Sequence, residues 1–159
     1  MNFNIREGKI TDMPSVLELI KELAHYEKEA DAVEISVADL EKDGFGNPPL
    51  FKTFVAEIGH EIVGMALFYP RYSTWKGPTI HLEDLIVKKN KRGLNIGSSL
   101  YNKVIAYGST LGVKRIEWVV LDWNTPAITF YKKTGASILE DWQTVQMDEL
   151  AIKNYLETL

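Results

Sequence analysis

The 159-residue chain is long enough for one domain with a real core, and its 45% hydrophobic and 25% charged content is that of an ordinary soluble globular protein. It has no cysteine, which excludes disulfides, thiolate nucleophiles and cysteine-bound zinc; its three histidines (His25, His60, His81) lie far apart with no HExxH spacing, so no metal is expected. A net charge of -4 argues against a nucleic-acid partner, no run of about 18 apolar residues suggests a membrane span, and "MNFNIREGKITDM" lacks a secretory pattern, so a cytoplasmic protein is expected.

In chain order, "NFNIREG" alternates as an edge strand does. In "TDMPSVLELIKELAHYEKE", Thr11 suits an N-cap, Pro14 suits a first turn, and Val16, Leu19, Ile20 and Leu23 form one apolar stripe. "SVADLEKDGFG" predicts a second helix, capped by Ser36 and stopped by Gly44 and Gly46. "PLFKTFVAEIGHEIVGMALFYPRY" predicts a hairpin turning near Gly59-His60, and "PTIHLEDLIVKK" a further strand. Ile96, Leu100, Val104, Tyr107 and Leu111 recur at helical steps and end at Gly112. "VKRIEWVVLD" is a strand, "TPAITFYKKTG" a helix, "ASILEDWQTVQMDEL" a last strand, and the tail a short helix. The order β-α-α-β-β-β-α-β-α-β predicts a single α/β domain over residues 1–159, with helices on the faces of a mixed sheet. Three successive central strands argue against a doubly wound dinucleotide fold.

Charge is unevenly placed. Residues 27–43 hold Glu27, Glu29, Asp31, Glu34, Asp39, Glu41 and Asp43 against Lys28 and Lys42, whereas "KKNKR" holds four bases and no acid. These are two solvated loops, or one surface for a cation and another for an anion. Residues 92–97, R-G-L-N-I-G, lie between a strand and a helix. There the unpaired N–H groups and positive end of the helix dipole suit a phosphate, glycines allow close approach, and Arg92 can bind bidentately. The stretch is neither a Walker A loop nor GxGxxG.

An R-x-x-G-x-G/A loop after the fourth strand marks the pyrophosphate loop of the GNAT superfamily of N-acetyltransferases. Arg92, Asn95 and Gly97 resemble it, with asparagine where glycine is usual. The stretches "LIKELAHYEK", "DGFG", "YSTWKG", "LEDLIV", "RGLNIGS", "VLDWN" and "FYKKTGA" span residues 19–136 and resemble the diamine acetyltransferases, the thialysine branch most of all. The resemblance implies a GNAT-like fold, acetyl-CoA as co-substrate, a small primary amine as acceptor and a homodimer. It places cofactor contacts on Leu85, Ile86 and Val87, on Arg92, Gly93, Leu94, Asn95, Ile96, Gly97 and Ser98, and on Asn124, Thr125, Pro126 and Ala127.

Acetyl transfer to an amine needs deprotonation of an ammonium, donors for the developing oxyanion and an acid for the departing thiolate. A lysine-like amine with a pKa of about 10.4 lies on the order of 4–5 kcal/mol from its neutral form at pH 7. In "HLEDLIV", alternation puts Glu83 and Leu85 on one sheet face and Asp84 on the other, and an acid in an apolar strand calls for a partner or a task. The resemblance makes Glu83 the proton acceptor and Tyr131 the proton donor. It puts Tyr26, Glu27, Ser73 and Trp75, with Glu117, Trp118 and Val119, along the amine channel. The spermidine/spermine branch carries an aspartate and a proline where Ser73 and Thr74 stand. Their absence favours a lysine-like amino acid or small diamine, and Lys76 is a candidate for a substrate carboxylate. The alternatives are a polyamine acetyltransferase, a protein or peptide acetyltransferase, and an acyl-CoA-binding module without turnover.

Overall fold

The computed structural model describes residues 2–159. It falls into two units, Met1–Val119 and Val120–Leu159. The first runs β1 (Asn4–Glu7), α1 (Met13–Tyr26), α2 (Val37–Phe45), β2 (Lys52–Ile58), β3 (Glu61–Ser73), β4 (Gly77–Val87), α3 (Ile96–Thr110) and β5 (Ile116–Glu117). The strands form one sheet in the order β1-β2-β3-β4-β5, antiparallel except for the parallel β4–β5 pair. The expected mixed sheet with helices is therefore present.

One core lies where α1 and α2 meet the sheet. The apolar stripe of α1 delivers Val16 and Leu19, which join Met13, Leu17, Leu40, Val55, Met65, Leu67 and Ile86 in one buried cluster. Toward α3, the rings of Phe54, Phe68 and Tyr107 stack within 5.1–5.9 Å of one another, with Leu100 and Val104 fully buried. Gly64 of β3 makes the close approach possible. A Cβ there would come within 2.9 Å of the Ile86 carbonyl and 3.3 Å of Leu100.

The caps show where local chemistry decided. Ser36 caps α2 as its sequence predicts: its Oγ accepts the Asp39 N–H at 3.2 Å, and the Asp39 carboxylate accepts the Ser36 N–H at 2.8 Å. At α1 the N-cap is Asp12 rather than Thr11, because a 3-10 turn over Ile10–Asp12 precedes the helix. The Asp12 carboxylate accepts the Lys9 N–H at 2.7 Å and both Arg6 Nη groups, at 2.6 and 3.0 Å, while Arg6 Nε donates to Glu57 at 2.8 Å. This knot ties β1, the turn and β2 together.

The second unit holds α4 (Thr125–Lys133) and α5 (Glu149–Leu156). The strand expected over residues 136–150 is absent: residues 136–148 pair with no strand among the described residues, and Glu149 and Leu150 belong to α5. Its alternating pattern is real, but a strand exists only where a neighbour completes the hydrogen bonds. β5 is likewise two residues long, not ten, because its pairing with β4 ends after His81 and Glu117.

Burial pushes the Asp12 carboxyl up, and the hydrogen bonds from Arg6 and the Lys9 N–H more than reverse this, so it sits below the usual carboxylate range. A depressed acid stabilises the fold above its unfolded pKa and loses that contribution as pH falls. Asp12→Ala is expected to lower unfolding free energy by about 2–3 kcal/mol at pH 7, and by less near pH 3. Urea denaturation at both pH values checks this; an equal loss at both would contradict the ionic origin.

Candidate functional site

β4 is paired along its whole length with β3, but on its other edge it meets β5 only at Ile80 and His81. From Leu82 to Val87, no strand covers that edge among the described residues. Leu85, Ile86 and Val87 lie in this stretch, opposite Ala66, Met65 and Gly64 of β3. An open strand edge is a template for an extended ligand with amide groups.

The turn that follows is ordered by specific contacts. Arg92 Nε donates to the Val87 carbonyl at 3.0 Å, and its guanidinium carbon lies 5.3 Å from the centroid of the Tyr26 ring. Glu22 of α1 accepts the Lys89 N–H at 2.8 Å, and Lys88 pairs with Glu61 at 2.6 Å. The basic run is thus partly engaged by its own protein. Gly93 (φ 80°) and Asn95 (φ 61°) both adopt the left-handed region, and Asn95 is the N-cap of α3. Asparagine tolerates this conformation better than most residues, which explains its place in the loop. A Cβ on Gly93 would meet nothing within 4 Å, and one on Gly97 only Val87, at 3.7 Å, so the turn leaves room beside the helix start. The loop geometry, the α3 N-terminus and the open β4 edge together fit a phosphate followed by an amide-bearing arm.

The acids lie where β4 bulges. The β3–β4 register shifts between Leu67 and Phe68: Leu67 faces Asp84, Phe68 faces Leu82, and Glu83 is the extra residue. This overturns the expected alternation. Glu83 Oε2 accepts the Tyr69 hydroxyl at 2.7 Å, and Asp84 lies opposite Leu67, so both acids share the Leu67/Tyr69 face. His81 Nε2 lies 3.5 Å from the same Glu83 oxygen, and its ring stacks on Tyr69 with centroids 5.2 Å apart. Glu83 remains half exposed. Burial, then the charges of Glu83 and Glu27, push the Asp84 carboxyl up to about 7. Burial also raises Glu27, the residue that closes α1. The charges of Glu83 and Glu27 thus act on Asp84 beside the end of α1, where Tyr26 also lies. Burial and the bond to Glu83 raise the Tyr69 hydroxyl to about 12, so it stays a donor.

The other expected channel residues part company. Ser73 is buried, and its Oγ accepts the N–H groups of Trp75 and Lys76, both at 3.2 Å, holding the β3–β4 turn; Trp75 is exposed. Glu117 is opposite His81 and contacts Arg71 at 2.5 Å and Arg115 at 3.0 Å. Trp118 stacks edge-on against Tyr101 of α3, 5.6 Å between centroids, and Val119 is exposed. Glu117 and Trp118 thus separate, one to the two arginines and the other, just past the end of β5, to Tyr101. In the second unit, Asn124 Oδ1 caps α4 by accepting the Ala127 N–H at 3.4 Å, with Thr125 and Pro126 in the first turn. Tyr131 lies 5.5 Å from the Phe130 ring, and its carbonyl accepts the Ala136 N–H at 3.2 Å. Sequence reasoning missed Tyr69, His81 and Arg71. The signal present was a charged residue, Arg71, inside an apolar strand.

Residues 14–136 match the acetyltransferase (GNAT) family. The chain is 42% identical to thialysine N-epsilon-acetyltransferase of Bos taurus over 160 residues, 94% of each chain. Its fold matches an integron cassette protein of V. cholerae (TM-score 0.80, 21% identity, 99% of each chain). It also matches an aminoglycoside N-acetyltransferase in complex with CoA (TM-score 0.72, 19% identity, 92% of this chain and 95% of that one).

An acid with a raised pKa is protonated in the folded chain while ionised in the unfolded one. Stability should therefore fall as pH rises from about 4 to about 7, by on the order of 4 kcal/mol from Asp84 alone, and level off above. Thermal melts at pH 5 and pH 8 should show the wild type weaker at pH 8 and Asp84→Asn losing most of that difference. A variant with the wild-type difference would contradict the assignment.

Proposed function

This chain belongs to the acetyltransferase (GNAT) family and is an N-acetyltransferase, and from that premise we propose that it moves the acetyl group of acetyl-CoA to the primary amine of a small, lysine-like amino acid or diamine. The observation that carries the reading is the cluster of Glu27, Glu83 and Asp84 beside an open strand edge. Acetyl-CoA, when bound, supplies an activated acyl group. Leu85, Ile86 and Val87 offer it a strand edge, and the turn from Arg92 to Ser98 offers N–H groups and positive charge. Asn124, Thr125, Pro126 and Ala127 are proposed as further contacts on the strength of the "VLDWN" and "TPAITFYKKTGA" motifs.

The three acids draw an ammonium in, and Glu83, half exposed and held by Tyr69, accepts its proton. The free amine then attacks the thioester directly. Tyr131 is proposed as the acid for the thiolate; its support is the F-Y-K motif. The similarity to the bovine thialysine enzyme supports a small amino acid as acceptor. A homodimer and a cytoplasmic setting belong to the same reading. Large apolar side chains exposed at Leu139, Trp142, Val145 and Met147 support an interface between copies. Among the described residues no helix is long and apolar enough to cross a membrane.

Thiol release from acetyl-CoA, measured against thialysine, lysine, ornithine, spermidine and spermine, tests the substrate class. Amino-acid amines should exceed spermine in kcat/KM; a tenfold advantage for spermine refutes this. Glu83→Gln and Tyr131→Phe should each lower kcat by roughly hundredfold with folding intact, and an unchanged kcat removes that residue from the mechanism. Asn95→Gly, which keeps the left-handed turn, should leave KM for acetyl-CoA within about threefold. A large drop in KM would show the asparagine obstructing the loop.

A further inference from the structure

Tyr69 and Arg71 are two residues apart on β3 and share a face. From there Arg71 reaches across β4 to Glu117 of β5, Nη1 to Oε1 at 2.5 Å. Arg115 Nε lies 3.0 Å from the other Glu117 oxygen. Two guanidinium groups thus share one carboxylate, leaving an excess positive charge on the face that carries Glu83. The pairing is ionic but poorly aligned: Glu117 Oε1 and Arg115 Nε are buried with no hydrogen-bond partner. A guanidinium has five donors, and the Arg71 side chain is 55% exposed, against 24% for Glu117. Arg71 therefore keeps donors directed to solvent beside the site. Its charge is felt at the Tyr69 hydroxyl, where it opposes the effect of Glu83.

The site is consequently bipolar, with three carboxyl groups at one end and a cation at the other. Arg71 starts level with Thr79, but its guanidinium meets Glu117, which is opposite His81, so the basic end lies one strand across from His81 and two residues short of Glu83, about 8 Å in all. In an extended lysine-like amino acid, six bonds separate the side-chain nitrogen from the carboxylate carbon, a comparable length of about 7 Å. Lys76, expected from sequence to meet a carboxylate, lies in the β3–β4 turn, seven residues from Glu83, or about 23 Å along an extended strand.

We propose that Arg71 pairs with the carboxylate of the acceptor, so that the site selects amino acids bearing a side-chain amine over diamines of the same length. The inference rests on the acetyl-transfer reading above. Its test compares S-(2-aminoethyl)cysteine with bis(2-aminoethyl) sulfide, the same molecule without its carboxylate, in wild type, Arg71→Gln and Arg71→Lys. The wild type should favour the amino acid at least tenfold in kcat/KM. Arg71→Gln should erase that preference through KM, leaving kcat and the diamine within about threefold, and Arg71→Lys should recover part of it. An equal loss for both substrates, the mark of a structural role at Glu117, or an unchanged ratio overturns the inference while acetyl transfer stands. An inactive wild type on both amines overturns the acetyl-transfer reading and this one together.

Discussion

The site depends on β4 having a complete partner on one edge and an incomplete one on the other. β3 fixes β4 in place along its length, while β5 leaves it after Ile80 and His81. Backbone groups on an uncovered edge must find partners, and an extended ligand can supply them. At Val87 the chain leaves β4 and turns toward α3, with Arg92 Nε held by the Val87 carbonyl. Strand edge, turn and helix start are thus one continuous surface.

The bulge at Glu83 is the second constraint. In a regular strand Glu83 would face α3 and Asp84 the other side. The extra residue brings both to the face of Tyr69, where burial and then the charges of Glu83 and Glu27 raise the cost of ionising Asp84. Tyr69 and His81, paired across the β3–β4 ladder, hold Glu83 while leaving it in contact with solvent. Arg71, two residues beyond Tyr69 and paired with Glu117 across β4, gives the β5 side of the face the opposite sign.

Much of this was written into local sequence. The stripe of α1, the Ser36 cap, the Gly59 turn and the helix after R-G-L-N-I-G all follow from spacing and residue chemistry, and all are present. Asn95 is the sharpest instance, since its residue type anticipates the left-handed backbone it adopts. Family membership was legible for the same reason: its motifs are short, contiguous and tied to one turn or one strand end.

What the sequence left open involves partners remote along the chain. Whether 137–148 becomes a strand depends on a neighbour, not on its own alternation. Whether Glu83 faces α1 or α3 depends on a register shift opposite it in β3. Glu117 and Trp118 are adjacent in sequence yet belong to different surfaces, one bound by Arg71 and Arg115, the other stacked on Tyr101. The sequence by itself determined the helices, the left-handed turn before α3 and the family, because each is set by interactions within a few residues. Only the tertiary structure decided which charges meet, because strand pairing and bulges are set by contacts between segments that no local pattern encodes.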